Sequence, residues 1–241
     1  MKHTGVAILL SLSAISTAHA QSAGQWTINS GWMHLAPQDS SQPLTVSALG
    51  SSATVPGSGA SVSDADTFAL TASYFVTDHV AIEAQLGVPP KLGMSGTGTL
   101  SALGELGSAR VWSPAILAKY HFGEPTARLR PYVGAGVAYV WFRSIELNNP
   151  LATGQFLYSP TLGTSLEGPT SASLSKSFAP VINAGLTYNI DSHWSVGVSA
   201  SYVCLSTKAT LTTRSPLGTV STTTKVKINP LVTFVSVGYR F

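Results

Sequence analysis

Charged residues are scarce in this 241-residue chain: they make up 10% of it, against 44% hydrophobic residues. Soluble domains usually carry about a quarter charged residues. Cysteine is scarcer still, because Cys204 is the only one and cannot form an intramolecular disulfide. The formal charge of +3 is spread along the chain and does not favour nucleic acid as a partner. These shortages argue against an ordinary soluble domain and against a disulfide scaffold.

Long apolar runs are missing after the first residues. Met1-Lys2-His3 precedes an apolar run from Gly5 to Ile15, and Ala18-His19-Ala20 supplies a small-residue cleavage site. This order is typical of a secretory signal peptide, so we expect residues 1–20 to be removed and residues 21–241 to form one domain. No later segment approaches the roughly twenty apolar residues that a membrane helix needs. An exported chain with dispersed apolar residues favours a transmembrane β-barrel, because lipid-facing and lumen-facing residues alternate there.

Eight segments show the alternation that predicts strands: residues 25–35, 67–76, 80–88, 112–122, 130–142, 178–190, 194–202 and 231–241. Short turns follow the even-numbered segments, and long Ser-, Gly- or Pro-rich connections that are typical of loops follow the odd-numbered ones. This asymmetry is typical of outer-membrane barrels, whose short turns face the periplasm. A soluble sandwich or lipocalin-like barrel would need no aromatic residues at strand ends on its apolar face. The sequence therefore predicts an all-β fold, an eight-stranded antiparallel up-and-down transmembrane β-barrel in the bacterial outer membrane.

The last predicted strand ends in Tyr239 and Phe241 on its apolar face, where an aromatic girdle would meet the lipid headgroups. We expect these residues to form the signal that the outer-membrane assembly machinery recognises. Gly134 and Gly136 lie inside the fifth strand and do not open a helix, which argues against a dinucleotide-binding loop. They are predicted to relieve crowding in a narrow lumen.

Several polar residues fall on the predicted lumen face of their strands. Glu83, Lys119, His121 and Arg240 are charged or titratable, and we expect Glu83 to pair with Lys119 on the neighbouring strand. Buried charges are costly unless they are paired, so a structural ion-pair network is the first interpretation and solute binding is the alternative. Ser199 is predicted to line the lumen as well.

Three segments resemble the OmpW family of small outer-membrane proteins: Trp112 to Gly123, Arg130 to Gly136, and Asn229 to Phe241. The resemblance covers essentially the whole chain after residue 20. It implies an eight-stranded barrel with a narrow, partly apolar lumen that passes small hydrophobic molecules toward a lateral exit into the bilayer. The family is thought to narrow this lumen with bulky apolar side chains, but the matching positions here are Gln85 and Ser201. This difference leaves room for a more polar solute.

No catalytic residues, cofactor or metal are expected. His34 and His121 lie within predicted strands without a third ligand at metal spacing. The serines of the long loops have no histidine nearby to activate them, which argues against a lipid-modifying enzyme. We therefore expect a narrow channel or carrier for small, mainly hydrophobic molecules, embedded in outer-membrane lipid. The alternative is a surface-recognition barrel that binds a partner through its long outer loops.

Overall fold

Strands make up nearly all the regular structure in this computed structural model, which describes residues 22–48, 50–157 and 166–241. The expected signal peptide lies outside the described residues. The strands, in chain order, are β1 (Trp26–Ala36), β2 (Ser40–Ser41), β3 (Leu44–Ala48), β4 (Ser51–Val55), β5 (Ser58–Val62), β6 (Ala65–Phe75), β7 (Val80–Gly87), β8 (Lys91–Gly98), β9 (Glu105–Trp112), β10 (Ala115–His121), β11 (Leu129–Leu147), β12 (Thr170–Leu174), β13 (Ser177–Asn189), β14 (Trp194–Val203), β15 (Ser206–Ser215), β16 (Gly218–Lys227) and β17 (Leu231–Arg240). Short helical turns lie at Asn149–Ala152 (α1), Ser101–Leu103 and Gln155–Leu157. Within the described ranges, no helix has the length and apolar character needed to cross a membrane.

Eight of these strands close into a barrel. Their order is β10-β7-β6-β1-β17-β14-β13-β11, and β11 pairs back with β10. All of these pairings are antiparallel, including the closing contact between β1 and β17, where Ile28 lies opposite Tyr239. The prediction of an eight-stranded antiparallel up-and-down barrel is therefore confirmed.

The barrel has apolar residues on its outside as well as its inside. On β13 the outward Ile182 is 63% exposed, whereas its neighbour Val181 points inward and is 4% exposed. The same alternation runs along β17, where Val235 and Val237 are exposed and Phe234 is buried. A soluble barrel would not leave such residues in water, but a lipid-facing wall requires them. The alternation that the sequence shows therefore distinguishes a lipid face from a lumen face.

Two glycines on β11 allow close packing against β10. A Cβ atom at Gly136 would overlap the carbonyl oxygen of Ile116 on the neighbouring strand. At Gly134 the added atom would lie 2.9 Å from Cγ of Lys119. The predicted relief of crowding is thus found at these positions, and it concerns the neighbouring strand's backbone as much as the lumen.

The four long connections differ from the prediction, because most of their described length is strand. They contain β2 to β5, β8 and β9, β12, and β15 with β16. These segments are rich in Thr and Ser with few large apolar residues, so their composition suggested loops although the β-branched Thr favours strands. The fourth predicted strand also starts too early. Trp112 ends β9, and Pro114, which lacks a backbone N–H, separates it from β10.

These additional strands form a two-sheet body, called the extension here, at one end of the barrel. In one sheet the outer part of β11 pairs with β9, then β8, then β5. In the other sheet the order is β12-β15-β16-β3-β4, with β2 beside β16. The opposite end of the barrel, called the turn end, carries the short connections at residues 76–79, 122–128 and 190–193. The two ends are therefore built very differently.

Candidate functional site

The half of the barrel interior next to the extension contains a cavity of about 80 Å³, called the lumen cavity here. Residues from all eight barrel strands reach it because inward residues recur at every second position. Its apolar lining includes Met33, Leu35, Val140, Val181, Val203 and Val232. Several of these residues belong to the buried apolar clusters of the protein. A small apolar molecule could leave water here and contact mostly aliphatic side chains.

Gln85 and Ser201 both lie on the wall of the lumen cavity. The Gln85 side-chain amide is 3.9 Å from Sδ of Met33, which is a weak contact. The Ser201 hydroxyl accepts a hydrogen bond of 2.8 Å from Nδ2 of Asn183. These two positions, together with Thr67 and Ser113, thus provide polar groups in a mostly apolar wall. Ser199 also points inward and is buried, but it lies one inward position further toward the turn end and does not line this cavity.

A second apolar cavity, of about 100 Å³, lies between the two sheets of the extension and is called the extension cavity. Its lining includes Leu44, Ala60, Leu103, Leu106, Leu151 and Leu211. Leu92, Val111 and Ile228 line both cavities, so the two spaces share a wall. The three shared residues are all buried. Together the cavities form an apolar series from the extension to the middle of the barrel.

The turn half of the interior contains a buried ion pair instead. Nζ of Lys119 on β10 lies 2.7 Å from Oε1 of Glu83 on β7, and both side chains are nearly inaccessible. The Ser73 hydroxyl donates a 2.8 Å hydrogen bond to Oε2 of Glu83. Nζ of Lys119 also lies 4.6 Å from the ring centroid of Tyr132. The expected pairing of Glu83 with Lys119 is therefore found, and Ser73 and the Tyr132 ring make further contacts with the two charged groups.

More polar and aromatic groups fill the space between this ion pair and the turn end. His121 is buried between the rings of Phe75 and Tyr132, at centroid distances of 5.0 and 4.9 Å. Nη2 of the fully buried Arg130 donates to the Asp78 carbonyl at 2.7 Å. Nη2 of Arg240 donates to Oδ1 of Asn189 at 2.7 Å. The remaining space in the polar half is only about 30 Å³. On the side toward the turn end, a solute in the lumen cavity thus meets a filled, charged interior.

Sequence reasoning did not identify Arg130 and Tyr132 as part of this network. Both lie on the same face of β11 as Gly134 and Gly136, which the sequence places in the lumen. The period-two rule alone would have found them. Gly185 on β13 adds to the arrangement, because a Cβ atom there would overlap the Tyr132 hydroxyl group.

The barrel wall is incomplete next to the lumen cavity. Pairing of β7 with β10 runs from Val80 opposite Tyr120 to Gln85 opposite Ala115 and goes no further among the described residues. Beyond that point residues 86–90 and 111–114 lie outside the β7–β10 ladder, and prolines cannot donate to a ladder. Backbone pairing resumes where the N–H of Val111 donates to the Pro90 carbonyl at 3.0 Å. Val88, Pro90 and Ser113 line the lumen cavity, and Val88 is also 57% exposed. We call this break in the pairing the lateral gap.

Aromatic side chains surround the barrel at two levels. At the turn end, Tyr239 contacts Trp194 and Phe241 at ring-centroid distances of 5.0 Å each. Next to the extension, Trp112 and Trp141 stack at 5.7 Å. Two such levels on either side of an apolar band are typical of a membrane-spanning barrel. Phe241 belongs to the level at the turn end and is 68% exposed. Its part in assembly stays a prediction.

Histidines outside the lumen form simple local contacts. Nδ1 of His34 lies 2.8 Å from Oδ1 of Asp66 near the extension. At the turn end the Ser192 hydroxyl lies 2.9 Å from Nδ1 of His193. The neighbouring Asp191 carboxylate accepts hydrogen bonds from the backbone N–H groups of His193 and Trp194, at 2.7 and 2.8 Å. It therefore stabilises the turn, and no hydrogen bond in the described part of the chain joins it to the imidazole ring as a catalytic triad would require.

The closed ring of eight strands, the apolar outer band and the two aromatic levels together define a transmembrane β-barrel of the outer-membrane type. The chain matches the OmpW family over residues 22–241 and belongs to that family. Outer membrane protein W of Vibrio cholerae is 30% identical over 247 residues, with all of both chains covered. The dibenzothiophene metabolism operon protein PahQ of Pseudomonas aeruginosa is 25% identical over 188 residues, which cover 78% of this chain and 77% of that protein.

Solved structures show the same fold. The crystal structure of the outer-membrane protein OprG from Pseudomonas aeruginosa superposes with a TM-score of 0.78 at 25% identity. The match covers 92% of this chain and 98% of that one. The protein is thus an outer-membrane barrel, and the predicted family and location are confirmed.

Proposed function

We propose that the protein is a non-catalytic conduit for small, mainly apolar molecules across the outer leaflet of the outer membrane. The observation that carries this proposal is the shared wall of the two cavities, formed by Leu92, Val111 and Ile228. A solute that leaves water for the extension cavity can move to the lumen cavity while remaining among apolar side chains. The hydrophobic effect then favours each step of entry.

The polar half of the barrel determines where the solute leaves. Eight strands enclose an interior only just wide enough for side chains, and the Glu83–Lys119 pair and its neighbours fill the turn half. Moving an apolar molecule past this network would break buried ionic and hydrogen-bonded contacts. The lateral gap beside Val88 offers a path into the bilayer from the lumen cavity. The solute therefore leaves sideways and does not pass through to the turn end.

The size and chemistry of the cavities restrict the solute. Volumes of about 100 and 80 Å³ suit a molecule of the size of a small aromatic ring, unless the walls move apart. The Gln85 amide and Ser201 hydroxyl could also accommodate one polar group on such a molecule. One relative is named for an operon of dibenzothiophene metabolism. Dibenzothiophene is an aromatic, apolar compound. Small aromatic compounds are therefore the first solutes to test.

The test uses bulky side chains directed into the lumen cavity or away from it. Gln85→Leu/Ser201→Trp fills the cavity, whereas Ala84→Leu/Ala200→Trp adds the same side chains one position away on the lipid face. Cells producing each full-length variant are given a fluorescent apolar naphthylamine, and its rate of entry is measured. We expect the inward pair to remove most of the protein-dependent entry and the outward pair to leave it unchanged. Equal rates for both variants and the parent would refute passage through the lumen cavity and favour a surface-recognition barrel.

A further inference from the structure

Three cations form a row across neighbouring strands of the extension. Arg110 on β9 lies opposite Lys91 on β8 and also opposite Arg143 on β11. All three side chains are exposed. Adjacent strands are about 4.8 Å apart, so three positive groups lie within about 10 Å of one another. Like charges directly opposite each other destabilise a sheet, and a bound anion would remove that cost.

The depth of this row in the membrane is fixed by a pair of tryptophans. Trp112 lies opposite Trp141 in the ladder. Trp141 lies two residues before Arg143 and on the same face of β11. The two indole rings are nearly parallel, with an interplanar angle of 6°. Aromatic residues of barrels lie where the hydrocarbon meets the headgroups, and two residues of strand rise by about 7 Å. The cationic row is therefore at the depth of lipid headgroups.

The protein neutralises only part of this charge. Nζ of Lys91 lies 2.8 Å from Oε2 of Glu146, and that carboxylate also accepts a 3.4 Å contact from the Ser108 hydroxyl. Nη1 of Arg110 makes a long contact of 3.5 Å with the Pro89 carbonyl. In the described ranges no side-chain hydrogen bond or ion pair involves Arg143. One carboxylate among three cations leaves an excess of two positive charges facing the headgroup layer.

We propose that Arg110 and Arg143, supported by Lys91, bind the phosphate groups of a glycolipid in the outer leaflet. The long connections of outer-membrane barrels lie outside the cell, so the extension faces that leaflet. Guanidinium groups bind phosphate oxygens with two parallel hydrogen bonds, which suits two adjacent arginines. The acyl chains of the same lipid would lie on the stacked tryptophans and on Val133 and Val137, which are exposed on the same face of β11. One lipid molecule thus satisfies both the cationic row and the apolar wall beneath it.

The test measures lipid binding by the refolded full-length chain in nanodiscs of neutral phospholipid. The probe is diphosphorylated lipid A, with dephosphorylated lipid A and inorganic pyrophosphate as comparisons. Arg110→Gln/Arg143→Gln removes the two arginines. Arg214→Gln/Lys225→Gln removes the same charge from exposed positions on β15 and β16, in the other sheet of the extension. Heat-modified mobility on gels confirms that each variant has folded before its affinity is compared.

We expect the parent to bind diphosphorylated lipid A at least tenfold more tightly than the Arg110→Gln/Arg143→Gln variant. The control variant should stay within twofold of the parent, and dephosphorylated lipid A should bind parent and variant equally. Equal loss in both variants would mean that only net charge matters, which overturns the assigned site. Competition by pyrophosphate at similar concentrations would show that the row binds free phosphate, and this also overturns a lipid site.

Discussion

The two halves of the barrel interior are formed by the same eight strands, but they contain opposite chemistry. Next to the extension most inward residues are aliphatic, and they surround the lumen cavity. Toward the turn end they are charged, hydroxylic or aromatic, and they pack around the Glu83–Lys119 pair. On β7 the two halves are one inward position apart, because Gln85 lines the lumen cavity and Glu83 belongs to the ion pair. A solute path through this protein therefore need not follow the barrel axis.

The difference also separates stability from transport. A filled polar interior contributes contacts that hold neighbouring strands in register. An apolar cavity leaves its lining side chains with fewer packing contacts, but it gives a solute room to bind. Substitutions in the turn half should mainly change the free energy of unfolding. Substitutions in the half next to the extension should mainly change solute entry.

Removing one member of the buried ion pair should have the largest effect. Glu83→Gln leaves the ammonium of Lys119 buried without its counter-charge, which should lower the free energy of unfolding by about 3–5 kcal/mol. Urea unfolding of the refolded barrel in lipid measures this loss. The double variant Glu83→Gln/Lys119→Met removes both charges and should recover most of the stability. If Glu83→Gln kept full stability but abolished solute entry, the pair would belong to the transport path and the division would fail.

A polar group in the shared wall should reduce transport more than stability. Leu92→Asn places an amide between the extension cavity and the lumen cavity, where an apolar solute must pass. We expect a clear loss of naphthylamine entry with a cost in unfolding free energy of about 1–3 kcal/mol. Leu92→Met is the matched control, since this volume-conserving change usually costs under about 1.5 kcal/mol and keeps the wall apolar. Unchanged entry in Leu92→Asn would show that solutes do not cross this wall.

The smallest effect is expected at the exposed turn between β13 and β14. Backbone N–H groups of Trp194 and His193 donate to the Asp191 carboxylate and hold its pKa below the usual value. Because the pKa of Asp191 is lower in the folded state, its carboxylate stabilises the fold above the unfolded-state pKa. This stabilisation is lost as the pH falls through the folded-state pKa. Amide protection of His193 and Trp194 should therefore decline in acid. Asp191→Asn should remove this pH dependence, and a decline of the same size in that variant would rule out the carboxylate as its cause.

Much of the barrel could be predicted because each spanning strand has one face toward lipid and one toward the lumen. A wall with lipid outside and a lumen inside imposes a period of two on every spanning segment. The inward position of Glu83 and Lys119 followed from that period, and their pairing followed from the cost of burying an unpaired charge. The extension was not predicted, since β15 and β16 are rich in Thr and Ser and have no lipid face to impose a clear apolar alternation.

The sequence by itself determined the number of spanning strands, the residues that face lipid and the family. These properties depend on local alternation and on short motifs, which can be read along a single chain. Only the tertiary structure decided that the long connections form two sheets, that Leu92 and Ile228 join two cavities, and that pairing stops above Gln85. Those features depend on register between strands that are distant in the sequence. Side-chain alternation fixes the face of each residue, but it does not fix the partner that lies opposite.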